Sequence, residues 1–281
     1  MFSAAIIVFR ESLEAFLIIS IMVAATRGIT ARASWIAGGA LLGLLGSAAV
    51  AMGMERISSL ADGMGQELFN VAILTVAVGM LAWHNIWMAA HGRELALQMK
   101  STARSVAEGG SERSVILVVI ALAVLREGSE TVLFLYGVAT GSENGLRDTV
   151  AGGSMGLASA AVIAGLMYWG LLRIPVSRFF GVTGVLVLLL ASSMASQAAR
   201  LLVQADLLPS LGAPLWDTSG VLAQTTALGT ILHGLIGYDT QPAGMQVLVY
   251  VLVLVAIASG MRWVSSRAGN GARGPSGAHA Q

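Results

Sequence analysis

Seven long apolar runs divide the chain, at about Phe2–Ala25, Trp35–Met54, Leu68–Ala90, Val115–Ala139, Val150–Leu172, Phe179–Val203 and Met245–Trp263. Each is long enough for a helix across the roughly 30 Å hydrocarbon core of a bilayer. Trp35, Trp169, Tyr250 and Trp263 stand near run ends, where interfacial aromatics belong. The longest connection, Ala205–Gly244, contains a further stretch, Ser219–Ile236, that is apolar but carries Gln224, Thr225, Thr226, Thr230 and His233. It reads as a short interfacial or re-entrant helix rather than an eighth span. No basic leader precedes the first run, and Arg10 and Glu11 interrupt it, so it is expected to remain as the first mature helix. The pattern predicts an all-α integral membrane protein with seven transmembrane helices. One domain is expected over residues 1–264, followed by a disordered Gly-, Ala-, Ser- and Arg-rich tail over 265–281.

Basic residues orient these spans. Arg27, Arg32, Arg93, Lys100, Arg104, Arg113, Arg173, Arg178, Arg262, Arg267 and Arg273 fall on one side, and only Arg56, Arg147 and Arg200 on the other. The positive-inside rule then predicts an outer N-terminus and a cytoplasmic C-terminus. Acidic residues lean the other way, which would concentrate cations at the outer mouth.

Two charged stretches break the apolar runs: Arg10-Glu11-Ser12-Leu13-Glu14 in the first and Arg126-Glu127-Gly128-Ser129-Glu130 in the fourth. Both have the form Arg-Glu-x-x-Glu and fall near mid-bilayer. A charged side chain there costs about 2.5–3.5 kcal/mol on insertion scales. Further matches follow each motif: Ile36-Ala37-Gly38-Gly39 with Val150-Ala151-Gly152-Gly153, and Phe69-Asn70-Val71 with Phe180-Gly181-Val182. Residues 1–90 and 114–203 therefore read as two copies of a three-span unit, followed by one last helix at 245–263. Three is odd, so the second copy enters the membrane inverted, a transporter architecture with its site at the midplane between the copies.

On a helix, Glu11 and Glu14 share a face about 4.5 Å apart along the axis, with Arg10 flanking it. Glu127, Glu130 and Arg126 repeat the arrangement. If the faces meet, four carboxylates converge beside two guanidiniums, leaving a net charge of two negative. Carboxylate oxygens suit hard cations such as ferric iron, Mn, Mg and Ca, and ferrous iron tolerates them. His84, Asn85, Gln197 and Asp217 are weaker pathway candidates: His84 and Asn85 as an exit site, Gln197 as a polar group in the sixth span, Asp217 as an ion collector or helix cap.

Composition agrees with the class. Hydrophobic residues make up 56% and charged residues 11% of 281 positions, against about 25% charged in soluble domains. Cysteine is absent, which excludes thiolate metal ligands and disulfides.

With these motifs, together with Trp83-His84-Asn85-Ile86-Trp87-Met88 and Trp216-Asp217-Thr218-Ser219, the chain resembles the oxidase-dependent iron permease family. The resemblance implies a seven-helix permease of the bacterial inner membrane. Its iron-handling glutamates would be Glu11, Glu14, Glu127 and Glu130, with iron as transported ligand and no permanent cofactor. It also implies an extracytoplasmic ferroxidase or haem peroxidase and an iron-binding protein as partners, and no nucleic acid. Two alternatives stand beside it: a permease for another divalent cation such as Mn or Pb, and an intramembrane metal-dependent hydrolase. The hydrolase would need His and acid ligands with an open metal position, and neither His84 nor His233 belongs to a His-Glu-x-x-His pattern.

Overall fold

The computed structural model describes residues 1–26, 29, 31–61, 66–107, 112, 114–140, 145–169, 176–212, 214–224 and 226–271. Among the described residues all regular structure is helical: α1 (Phe2–Ala25), α2 (Arg32–Ala61), α3 (Gln66–Ala107), α4 (Ser114–Thr140), α5 (Gly145–Tyr168), α6 (Val176–Gln204), α7 (Ala227–Ile236) and α8 (Gly244–Gly271). Five stretches are long and apolar enough to cross a membrane: 32–56 in α2, 67–89 in α3, 145–168 in α5, 181–204 in α6 and 244–266 in α8. α1 and α4 have the length, 24 and 27 residues, but each carries three charges at its centre.

Helix lengths differ from the expected spans where polarity and helix propensity part company. α3 runs 42 residues rather than stopping near Ala90. Beyond the apolar section its sequence is rich in Leu, Ala, Gln, Lys and Arg, which sustain a helix outside lipid. Its far end is anchored: Val106 is buried with Met22 of α1 and Ile116, Ile120 and Val124 of α4. α8 continues to Gly271, so the first seven residues of the expected tail are helical. Residues 272–281, and 170–172 at the expected end of the fifth run, lie outside the described residues.

α7 is a half-length helix with readable ends. The Thr226 side chain accepts a hydrogen bond from Gly229 N at 3.1 Å. At the other end Gly237 takes φ +72°, and Gly237 N and Tyr238 N donate to His233 O and Leu232 O at 3.0 and 3.3 Å. Its 10 residues cover only about 15 Å, half a bilayer core. Gly237 rests on Ser193, near the middle of the apolar section of α6.

Glycines decide how closely the long helices approach. A Cβ on Gly39 would lie 2.6 Å from Leu117 O, and one on Gly43 2.8 Å from Ala121 O, so α2 lies backbone to backbone on α4. In the same way Gly152 faces Met1 O and Gly156 faces Ala5 O, laying α5 on α1. This is small-xxx-small packing, in which missing side chains replace a hydrophobic drive that lipid does not provide. Met1 and Leu117, Ala5 and Ala121, and Arg10 and Arg126 all stand 116 positions apart. The equivalent glycines are thus Gly39 with Gly152 and Gly43 with Gly156, one position off the alignment of Ala-Gly-Gly on Ala-Gly-Gly. α3 packs on α6, and α1 on α4. The main contacts are therefore unchanged when α1–α3 are exchanged with α4–α6.

Gly156→Ala forces its methyl into the α1 backbone and is expected to lower stability by about 1–3 kcal/mol. Gly165→Ala, on the same helix with nothing within 4 Å, is expected to hold or slightly raise it. Thermal midpoints of the purified protein in detergent check the contrast, and equal midpoints would remove the close-approach argument.

Candidate metal centre

Both motifs sit in uninterrupted helix, so the i, i+3 and i+4 positions fall on one face as the spacing requires. α1 and α4 pack against each other, and that face lies between them. Arg10, Glu11, Glu14 and Glu127 are buried, with Arg10 and Glu11 each 1% exposed. Gly128, where the first motif has Ser12, lets Ser47 of α2 pack directly on α4.

The first motif is a closed clamp. Arg10 Nη1 lies 2.6 Å from Glu11 Oε1, and Nη2 lies 3.0 Å from Glu14 Oε1. The second is looser. Arg126 Nε is 3.1 Å from Glu130 Oε1 and 3.9 Å from Glu127 Oε1, and its side chain is 40% exposed. Its guanidinium also stands 5.1 Å from the Trp87 ring centroid, within cation–π range. His84 of α3 joins the halves: Nε2 is 3.6 Å from Glu14 Oε2, and Nδ1 is 2.5 Å from Glu130 Oε2.

These groups meet closely enough to hold a cation. One ligand atom each from Glu11, Glu14 and His84 lie within 4.8 Å of one another, as do those from Glu11, Glu127 and Glu130. Glu11 Oε2 and Glu127 Oε2 are buried and accept no hydrogen bond. A buried carboxylate oxygen without a donor is costly, and a cation removes that cost. Beside the cluster a cavity of about 590 Å³ is lined by Val76, Gly79, Met80, Trp83, His84 and Trp87 of α3 and by Arg126 and Glu130 of α4.

The other candidates separate by position. Asn85 donates from Nδ2 to Gly184 O at 2.9 Å and ties α3 to α6. Gln197 is half-buried on α6, outside both carboxylate groups. Asp217 lies in the loop before α7, where Ser219 N and Oγ bind Oδ1 and Gln241 Nε2 binds Oδ2 at 2.8 Å. Those donors, the Ser219 hydroxyl first, hold its carboxyl below the usual aspartate range. It caps a turn there, not a helix. His84, weighed beforehand as an exit residue, stands among the glutamates. The signal for this is the buried stripe of α3, in which Leu74, Ala77, Leu81, His84 and Asn85 follow helical spacing while Trp83 is exposed.

The chain matches the family model described as the iron permease FTR1 family over residues 1–269. It belongs to the iron permease FTR1 family. It is 32% identical over 260 residues to the ferrous iron permease EfeU of Escherichia coli O6:H1, covering 91% of this chain and 93% of that one. It is also 32% identical over 191 residues to the Shigella flexneri EfeU, covering 68% and 80%. No solved structure matches. The chain is therefore a multi-pass membrane protein of iron transport, and the relatives are named as permeases, not enzymes.

Arg10→Ala strands Glu11 and Glu14 in the interior and is expected to destabilise the protein by about 3–5 kcal/mol. Arg126→Ala, at a half-exposed position, is expected to cost clearly less, with thermal midpoints as the readout. The cysteine-free chain also allows the cavity to be probed directly. A hydrophilic thiol reagent is expected to label Met80→Cys, on the cavity wall, and to spare Leu45→Cys, on the outer face of α2. Equal silence at both positions would mean the cavity is dry.

Proposed function

We propose that the chain carries iron across the bacterial cytoplasmic membrane through a mid-membrane site built from Glu11, Glu14, Glu127 and Glu130. The observation that carries this reading is the convergence of both motifs on one buried cluster, with Glu11 Oε2 and Glu127 Oε2 among the carboxylate oxygens left without donors. With all four glutamates ionised and both arginines charged, the cluster is two negative, the charge that a divalent cation cancels. Arg10 and Arg126 offset part of the negative charge, so that binding is firm but reversible.

The proposed architecture has seven spans, α1 to α6 and α8, with an outer N-terminus and α7 dipping in from the outer side. Counting α1 and α4 as spans is supported by their lengths and by their enclosure by α5 and α2. An inverted repeat is supported by the constant register of the glycine contacts and by packing that survives exchange of the two halves. α1–α6 and α8 then form one permease domain, and the membrane potential drives the cation inward at about 2.3 kcal/mol per charge per 100 mV. The half-exposed Arg126 fits a water-filled cavity better than lipid. The relatives named ferrous iron permeases support iron as cargo. A ferroxidase or haem peroxidase and an iron-binding protein on the outer side complete the system as partners.

Radioiron uptake into proteoliposomes, with manganese and lead as competitors, tests the reading. Each of Glu11→Gln, Glu14→Gln, Glu127→Gln and Glu130→Gln is expected to cut uptake about tenfold or more at normal protein levels, as removal of groups at a metal site does. Wild-type uptake by any one of them removes that glutamate from the path, and preference for a competitor over iron replaces the cargo.

A further inference from the structure

The two halves of the cluster are not chemically alike, and the difference is His84. α6, the counterpart of α3, contains no histidine at any position. One half thus has an imidazole that the other lacks.

The His84 ring is 3% exposed. Nδ1 sits 2.5 Å from Glu130 Oε2, and Glu130 Oε1 is in turn 3.1 Å from Arg126 Nε. Neither ring nitrogen makes a well-aligned hydrogen bond; Nδ1 is the one pressed against a carboxylate, while Nε2 stands 3.6 Å from Glu14 Oε2. That separation is long for a hydrogen bond. It is close to the spacing of two ligands on one ion, since bonds of about 2.0–2.1 Å put neighbouring ligand atoms roughly 3.0–3.4 Å apart. A carboxylate behind one imidazole nitrogen with the other nitrogen turned to the ion is the usual support of a histidine ligand.

We propose that His84 Nε2 is a direct ligand of the transported ion, completing with Glu11 and Glu14 a mixed nitrogen–oxygen position, while Glu130 orients the ring. This deepens the reading of the glutamates as the iron site and rests on it. Glu11 then belongs to two adjacent positions, one with imidazole and one made only of carboxylates from Glu11, Glu127 and Glu130. Imidazole suits ferrous iron and other borderline divalent cations, whereas an all-oxygen set suits hard ones. His84 is accordingly the residue that sets the preference for ferrous iron over manganese.

The test uses Mn²⁺ as a paramagnetic probe of the purified full-length protein. Pulsed electron paramagnetic resonance of the bound ion is expected to detect coupling to an imidazole nitrogen. In His84→Gln, which keeps size and an oxygen donor, bound Mn²⁺ is expected without that coupling. The uptake ratio of ferrous iron to manganese is expected to fall by about tenfold or more in the same variant, the scale of losing a group at a metal site. Mn²⁺ that depends on Glu11 but shows no nitrogen coupling in the wild type overturns the assignment of His84 alone. Mn²⁺ binding that survives Glu11→Gln unchanged overturns the glutamate site beneath it. An unaltered uptake ratio in His84→Gln also overturns the role in selection.

Discussion

An ion pair inside a helix bundle surrounded by lipid has no water to turn to, and most of this architecture answers that constraint. Desolvating each charge costs several kcal/mol, which is recovered only if opposite charges meet at close range with their remaining lone pairs satisfied. Arg10 meets the first condition within one helix, reaching Glu11 and Glu14 with separate nitrogens, and Glu11 Oε2 is left without a donor. The rest of the bundle must then keep lipid away from α1 and α4. The glycines do so: Gly152 and Gly156 lay α5 on α1, and Gly39 and Gly43 lay α2 on α4, each at backbone distance. Small residues on the uncharged helices and charges on the other two are parts of one solution.

Much of this was legible beforehand because bilayer thickness imposes a length that sequence must obey. The first run, Phe2–Ala25, is α1 without adjustment, and the motif spacing alone put Glu11 with Glu14 and Glu127 with Glu130. The end of α3 was not legible from hydropathy, because a helix that leaves the membrane stays a helix when its residues favour one. α7 was read too long, as Ser219–Ile236, although Thr226 and Gly237 mark its ends by capping chemistry rather than polarity. The glycine register was misread by one place, since Ala-Gly-Gly repeats identity whereas packing repeats position.

His84 shows where local reading stops. Its neighbours Trp83 and Trp87 suggest an interfacial girdle, and an imidazole beside tryptophans is ordinarily interfacial. What places it is the stripe on which it lies, three positions beyond Leu81 and seven beyond Ala77, both buried. No spacing within α3 shows that this stripe ends between the motifs of α1 and α4. That requires three helices, two of them from one half of the chain and one from the other.

Inverted repeats make two half-sites that are alike by construction, and a transported ion gains nothing from two identical resting places. The departures from symmetry are therefore informative. One arginine is sealed and the other borders a cavity. One half has the imidazole of α3, whereas α6 contains no histidine. α7 and α8 follow the second half and have no counterpart in the first. Duplication accounts for the gathering of carboxylates between α1 and α4, and its breakage accounts for the different chemistry on the two sides of the cluster. The loose motif, with Arg126 leaning on Trp87, is the side of the cluster that borders the cavity, and the clamp of Arg10 is the side that the bundle seals.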